Sequence, residues 1–405
     1  MKNKFVQIAL GILTGIGGYL EVGSIATSAE AGASFGYSLI WAIVLGTICL
    51  IFLIEMSGRL AATSHHTIAD AVRERFGFRF AVIPSSAELI VNLLVLAAEI
   101  GGVCLALKLV TGIEVRVWAA PVVLFLWFAL WVGTLDVIEN STSILGLVTV
   151  AFVVAAVKMH PDYAQVARSI VPSLPHHDPA HYWFTAVSIL GATISPYMFV
   201  FYSSGAVEER WSVKDLGMNR ATAAIGMTFG AVMASAVLVV SAHVFHPLHI
   251  TVDRYEQIAV VLTPALHKYG LPLFAISLGV CCFGACVEVA LATTYGIAQT
   301  FGWMWGEDKK PAERTRFSVT YTLIILVAMV VLLTGIDPLK LTVMAMALTA
   351  LILPLVVFPF VVLLNDETYV HGHRNGPIGN AVVIVTIFLA SIIAIVTIPL
   401  QIVGD

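Results

Sequence analysis

Residues 11–32 read GILTGIGGYLEVGSIATSAEAG, an apolar stretch long enough for a membrane helix yet crowded with Gly15, Gly17, Gly18 and Gly23 around one acid, Glu21. A second stretch of the same kind, SILGATISPYMFVFYSSG at 188–205, carries Pro196 in its middle. Proline removes one backbone donor and obstructs another hydrogen bond, and glycine weakens a helix. Each stretch is therefore expected to free backbone groups inside a membrane span. Lipid tolerates this only where the groups are buried in protein or face a wet cavity.

The rest of the chain supports that reading. Of its 405 residues 59% are hydrophobic and 11% charged, far below the roughly 25% charged of a soluble domain. A water-soluble globule is excluded. Eleven hydrophobic stretches fall near 5–29, 36–60, 80–110, 117–135, 142–158, 182–206, 221–246, 271–303, 316–335, 339–364 and 376–402, each sufficient for a hydrocarbon core of about 30 Å. The first is expected to be a retained helix rather than a cleaved signal, since it carries Glu21 and lacks a small-residue cleavage pattern. Cys49, Cys104, Cys281, Cys282 and Cys286 all fall inside spans and read as small packing residues.

Lys and Arg between spans set the orientation. With the N-terminus inside, fourteen fall on inner segments and six on outer ones, a bias that predicts a cytoplasmic N-terminus and, with eleven spans, an outer C-terminus in a plasma (inner) membrane. No linker divides the chain, so one domain is expected over 1–405, with inverted repeats near 5–158 and 182–364 and an extra helix at 376–402. Residues 251–270 show helical apolar spacing and predict a surface helix on the outer side.

Glu21 and Pro196 stand 175 residues apart, in the first and sixth spans. That is the spacing of a five-plus-five inverted repeat whose two broken helices meet at a substrate. An acid at mid-membrane costs at least about 2.5–3.5 kcal/mol, so Glu21, Glu99 and Glu288 each need a reason. Substrate or proton binding is one; a protonated structural acid bonded to a neighbouring helix is the other. Glu99 and Glu288 are the candidates for proton relay. Glu55 and Glu88 lie nearer the inner ends of their spans and read as interfacial, and Lys108 reads as snorkelling outward. His160, His176, His177 and His181 crowd an outer loop in no tight metal-site spacing and read as solvated.

These residues resemble a known family. GYLEVGSIATSAEAGASFGYSLIWAIVL (18–45) is similar to the first two helices of NRAMP-type divalent-metal transporters, in which Asp-Pro-Gly-Asn precedes an Ala-Gly-x-x-Phe-Gly-Tyr segment. GATISPYMFVFYSS (191–204) resembles the family's Gly-Ala-Thr-x-Met-Pro-His run; AAEIGG, HVFHP and ILPLVVFP follow in matching order. The resemblance implies an all-α polytopic membrane protein of about eleven spans in a LeuT-like inverted-repeat fold, moving a metal ion often with protons. Its binding motif departs from the family. Glu21, Val22, Gly23 and Ser24 stand for Asp, Pro, Gly and Asn; Ser195 stands for the metal-binding Met; Tyr197 and Tyr202 stand for two His; Leu96 stands for an acid; and Met346 aligns with a Gln. Pro196 and Glu99 are kept.

By this resemblance the expected site comprises Glu21, Ser24, Ala192, Ser195, Tyr197 and Met346, with breaks at Gly23 and Pro196. Exchange of Met for Ser195 moves the donor set from soft towards hard, and an oxygen-only, roomier pocket suits a partly hydrated magnesium or manganese ion. Loss of the His and of one acid leaves proton coupling open. A transporter of an organic cation, amine or amino acid is the alternative, favoured by Tyr19, Tyr197, Phe199 and Tyr202 near the break; a sensor that has lost transport is a third. No nucleophile–base set or phosphate-binding glycine loop suggests an enzyme. Neither a cofactor nor a nucleic-acid partner is expected; the lipid bilayer and a small ion are, with the chain acting as a monomer.

Overall fold

A computed structural model describes residues 19–132, 147–175, 177–252, 254–306 and 311–404. Among these residues all regular structure is helical. In chain order the helices are α1 (Val22–Phe35), α2 (Ile40–Ser64), α3 (Ile68–Phe76), α4 (Phe78–Thr111), α5 (Val115–Val132), α6 (Val150–Lys158), α7 (Tyr163–Arg168), α8 (Pro179–Thr193), α9 (Pro196–Glu208), α10 (Leu216–Val244), α11 (Tyr255–Ala259), α12 (Thr263–Leu266), α13 (Gly270–Thr300), α14 (Thr315–Leu333), α15 (Pro338–Leu363), α16 (Glu367–Val370) and α17 (Pro377–Gly404).

Nine segments among the described residues are long and apolar enough to cross a membrane. They coincide with nine of the eleven expected stretches, residues 133–135 of the fourth lying outside the described region. The other two are described in part. α1 is the second half of the first span, whose residues 5–18 lie outside the described region, and α6 ends the fifth, whose residues 142–146 do so too.

The layering follows from what each helix carries. The sixth span, α8 with α9, is almost wholly buried, whereas α5, α14 and α17 bury less than half of their apolar windows. Leu124, Val330 and Ile395 on those outer helices are exposed, as lipid-facing positions must be, since lipid offers apolar side chains no reason to turn inward. α1 lies deep because its residues are small. It packs along α10, and Ser241 Oγ donates to the Ala29 carbonyl at 2.5 Å. A Cβ added at Gly230 of α10 would overlap the Tyr19 ring, so only glycine lets the two approach.

The face of the bundle that carries α11 and α12 corrects two expectations. Residues 251–270 form the short helices α11 and α12 instead of one surface helix; Pro264, at the start of α12, cannot donate back into a continuing ladder. The histidine loop is not simply solvated. His181 Nε2 lies 2.9 Å from Glu30 Oε1 of α1, and His177 stacks on Phe35; His176 is outside the described residues. Lys108 pairs with Glu256 at 3.1 Å and Glu114 at 3.5 Å.

Candidate substrate site at the two helix breaks

Both expected breaks are present and both are buried. The chain enters α1 through Leu20 and an extended Glu21 (φ −102°, ψ 177°), so the first span is interrupted at 20–21. Gly23 is not in the break but in the first turn of α1. Its use is space: a Cβ there would come 2.5 Å from Met346 Cε and 2.6 Å from Met346 Sδ. The sixth span is interrupted at Ile194 and Ser195, and Pro196 is the first residue of α9. Proline suits that position because its missing N–H would have no helical acceptor anyway.

Freed backbone groups need partners, and the two breaks find them differently. In the first, the Val22 N–H donates to Glu99 of α4, at 3.1 Å to Oε1 and 3.3 Å to Oε2. A carboxylate at a helix N-terminus also meets the positive end of the peptide dipoles. Ser24 Oγ donates to the Tyr19 carbonyl at 3.0 Å, so Ser24 holds the break together and is committed to backbone. In the second, Ser195 Oγ lies 3.2 Å from the carbonyls of both Gly191 and Ala192. Those carbonyls end α8, where the dipole is negative.

Tyr197, on the first turn of α9, joins the breaks by donating its hydroxyl to Glu21 Oε2 at 2.6 Å. Glu21 is fully buried, and its Oε1 accepts no hydrogen bond from any described residue. An unsatisfied buried acceptor costs about 1–3 kcal/mol, more if charged. The carboxyl therefore has one oxygen fixed by Tyr197 and one without a hydrogen-bond donor by geometry, with the Ser195 hydroxyl beside it. Glu99 and Tyr197 are equally shut off from solvent, at 0% and 1% exposure, so the whole cluster is buried.

Of the expected site residues, Glu21, Ser24, Ala192, Ser195 and Tyr197 lie at the two breaks. Met346 of α15 also belongs there: its side chain covers Gly23, and its carbonyl oxygen occupies the place a Cβ on Gly191 would take. A thioether from the tenth span thus packs against the first turn of α1. Glu99 is part of the same cluster. Glu288 of α13 is only half-buried and interacts electrostatically with Tyr197, which puts it beside the cluster. Tyr202 is turned away, its hydroxyl donating to Asn219 Oδ1 at 3.0 Å.

Sequence reasoning missed two members. The Cys282 thiol lies against Glu99, and its Sγ would be 2.5 Å from a Cβ on Gly102. The Val22 N–H carries no side-chain signal at all. Among the described residues no three His, Cys, Asp or Glu side chains converge as a resident metal centre would require.

The sequence profile of the natural resistance-associated macrophage protein-like family matches residues 11–399. The chain belongs to the Nramp family. Its members are transporters, not enzymes, and this chain is an integral membrane transporter. Solved structures show the fold. A manganese transporter of Eremococcus coleocola, in complex with an aromatic bis-isothiourea substituted compound, superposes with a TM-score of 0.81 at 18% identity over 98% of this chain and 87% of that one. MhsT, in complex with L-phenylalanine, gives 0.66 at 15% identity over 96% and 97%. Mhp1, a nucleobase-cation-symport-1 family transporter in a closed conformation, gives 0.62 at 14% over 97% and 92%. The Nramp chain thus has the LeuT-like fold that its two broken spans predicted.

Proposed function

We propose that this Nramp chain moves a divalent metal cation by alternating access, holding it between the breaks against Glu21 and Glu99, with the Lys/Arg-rich side cytoplasmic. One observation carries the reading: Glu21 Oε1 is fully buried beside two interrupted helices and no described residue donates to it. A cation supplies what is missing, and neighbouring carbonyl and hydroxyl oxygens complete a hard donor set. Family membership and the likeness to a manganese transporter support a metal cargo.

Manganese is favoured over magnesium. Carboxylate and carbonyl oxygen serve both, but the Met346 thioether beside Gly23 adds a softer atom that magnesium does not use. Protons, where they are exchanged, pass through Glu21 and Glu99, since Leu96 and Tyr197 cannot relay one near neutral pH.

Proteoliposomes containing the full chain are assayed for Mn2+, Mg2+ and Ca2+ uptake. The expected result is Mn2+ uptake abolished by Glu21→Gln while the yield of folded protein is kept. Unchanged uptake in that variant removes Glu21 from the site. If no divalent ion moves but an alkylammonium binds, the cargo is organic.

A further inference from the structure

Eleven residues before Glu99 on α4 stands Glu88, read from sequence as an interfacial side chain able to reach water. It is buried instead, at 8% exposure. The physical reason is α3, which folds back under the bundle and, with the inner ends of α9, α13 and α15, encloses a pocket lined by Val72, Ser85, Glu88, Val200 and Thr300. Glu88 Oε1 accepts no hydrogen bond from a described residue, and the carboxyl's side-chain partner is the neutral Asn92.

No basic side chain lines that pocket. Arg73, on the neighbouring α3, is engaged with Asp70 at 3.2 Å and with the Gln299 carbonyl. Gln299 adds a second open acceptor at the same inner end of α13: it is fully buried, its Nε2 donates to Ser204 Oγ at 2.9 Å, and its Oε1 has no donor. A buried carboxylate in an apolar wall is costly without a counter-charge. Two unfilled acceptors and no resident cation indicate that the positive charge is brought by something mobile.

The geometry of α4 links this pocket to the central chamber. Eleven residues make about three turns, so Glu88 and Glu99 share a face roughly 16 Å apart along the axis. Asn92 lies between them on that face, 2% exposed, bonded to Thr293 Oγ1 at 2.9 Å. Leu96, fully buried, closes the remaining gap. The two carboxylates therefore stand about three turns apart on one face of α4, with Asn92 and Leu96 between them.

We infer that Glu88 is an inner way station for the transported divalent cation, which pauses there partly hydrated, with Ser85 and Thr300 as neutral oxygen donors, before leaving past α3. The inference rests on the proposed cargo but not on the role of any residue at the breaks. Alternating access gives it a use: after Glu21 releases the ion, a nearby carboxylate lowers the chance of return to the centre.

The test uses purified full-length protein, Mn2+ as probe, electron paramagnetic resonance titration for binding, and proteoliposome uptake. Wild type is expected to bind two Mn2+, the inner one more weakly. Glu88→Gln should bind one, with the affinity of the remaining site unchanged, and should lower the maximal uptake rate about tenfold while KM holds. Glu88→Asp should restore the second site, which a merely structural carboxyl would not do. Glu21→Gln should lose the tighter site and keep the weaker. Wild-type stoichiometry and rate in Glu88→Gln, or a single site that Glu21→Gln alone removes, overturns the way station; the latter leaves the central reading standing. Retention of the tighter site in Glu21→Gln sinks the central reading by itself, and absence of any Mn2+ binding sinks both.

Discussion

The two breaks look alike in outline but are held by different means. At the sixth span everything lies within a few residues: Pro196 starts α9, and Ser195 ties its hydroxyl to the carbonyls of Gly191 and Ala192. At the first span the decisive partner is remote, for the Val22 N–H is met by Glu99 from 77 residues away. One interruption is a local property of the chain; the other joins a local tie, Ser24 to the Tyr19 carbonyl, to a carboxylate that α4 delivers. A locally held break should survive loss of any one contact. A remotely held one should not.

The largest effect is expected where the breaks meet the tenth span. Gly191→Ala puts a methyl group onto the Met346 carbonyl oxygen, and backbone cannot swing aside as a flexible side chain can. A loss of about 3 kcal/mol is expected, read as a collapse of the thermal transition in detergent; an unchanged transition would mean that α8 and α15 lie further apart than described.

Glu99→Ala tests the remote break. It strands the Val22 N–H, costing about 2 kcal/mol, and removes one of two carboxylates from the chamber. Mn2+ uptake should vanish, and Glu99→Gln should recover most of the stability but not the transport. Recovery of both would show that Glu99 acts only as a backbone partner.

Ser195→Ala should cost about 1 kcal/mol, because the Gly191 and Ala192 carbonyls lose a donor. The smallest effect belongs to Pro196→Ala, below about 1 kcal/mol, since the residue sits where helix starts tolerate proline and alanine alike. Both are measured by thermal unfolding. The double variant sharpens the comparison: if the two residues back each other up, its loss exceeds the sum of the single losses, and simple additivity would refute local redundancy.

Much of this was legible in the chain. The hydrophobic stretches announced a membrane bundle because a hydrocarbon core sets the length of a span regardless of what the span packs against. Pro196 announced its break because proline acts through its own ring and missing donor. Gly23 was misread as a break for the opposite reason: glycine permits many conformations and dictates none. Here it is helical and makes room for Met346. Glu88 was misplaced because distance from a span's end does not reveal whether a neighbouring helix, here α3, will cover it.

Sequence by itself determined the solvent, the places of the nine spans seen among the described residues, and the presence of acids that need a reason to be in lipid, since these depend on composition and on the chemistry of single residues. Tertiary structure alone decided which acid meets which backbone donor, that Tyr197 occupies one oxygen of Glu21, and that the Met346 thioether packs against Gly23. Those outcomes are distances between atoms far apart in the chain. Packing settles them by bringing α4, α9 and α15 within contact of a few unwound residues, and no local pattern encodes that approach.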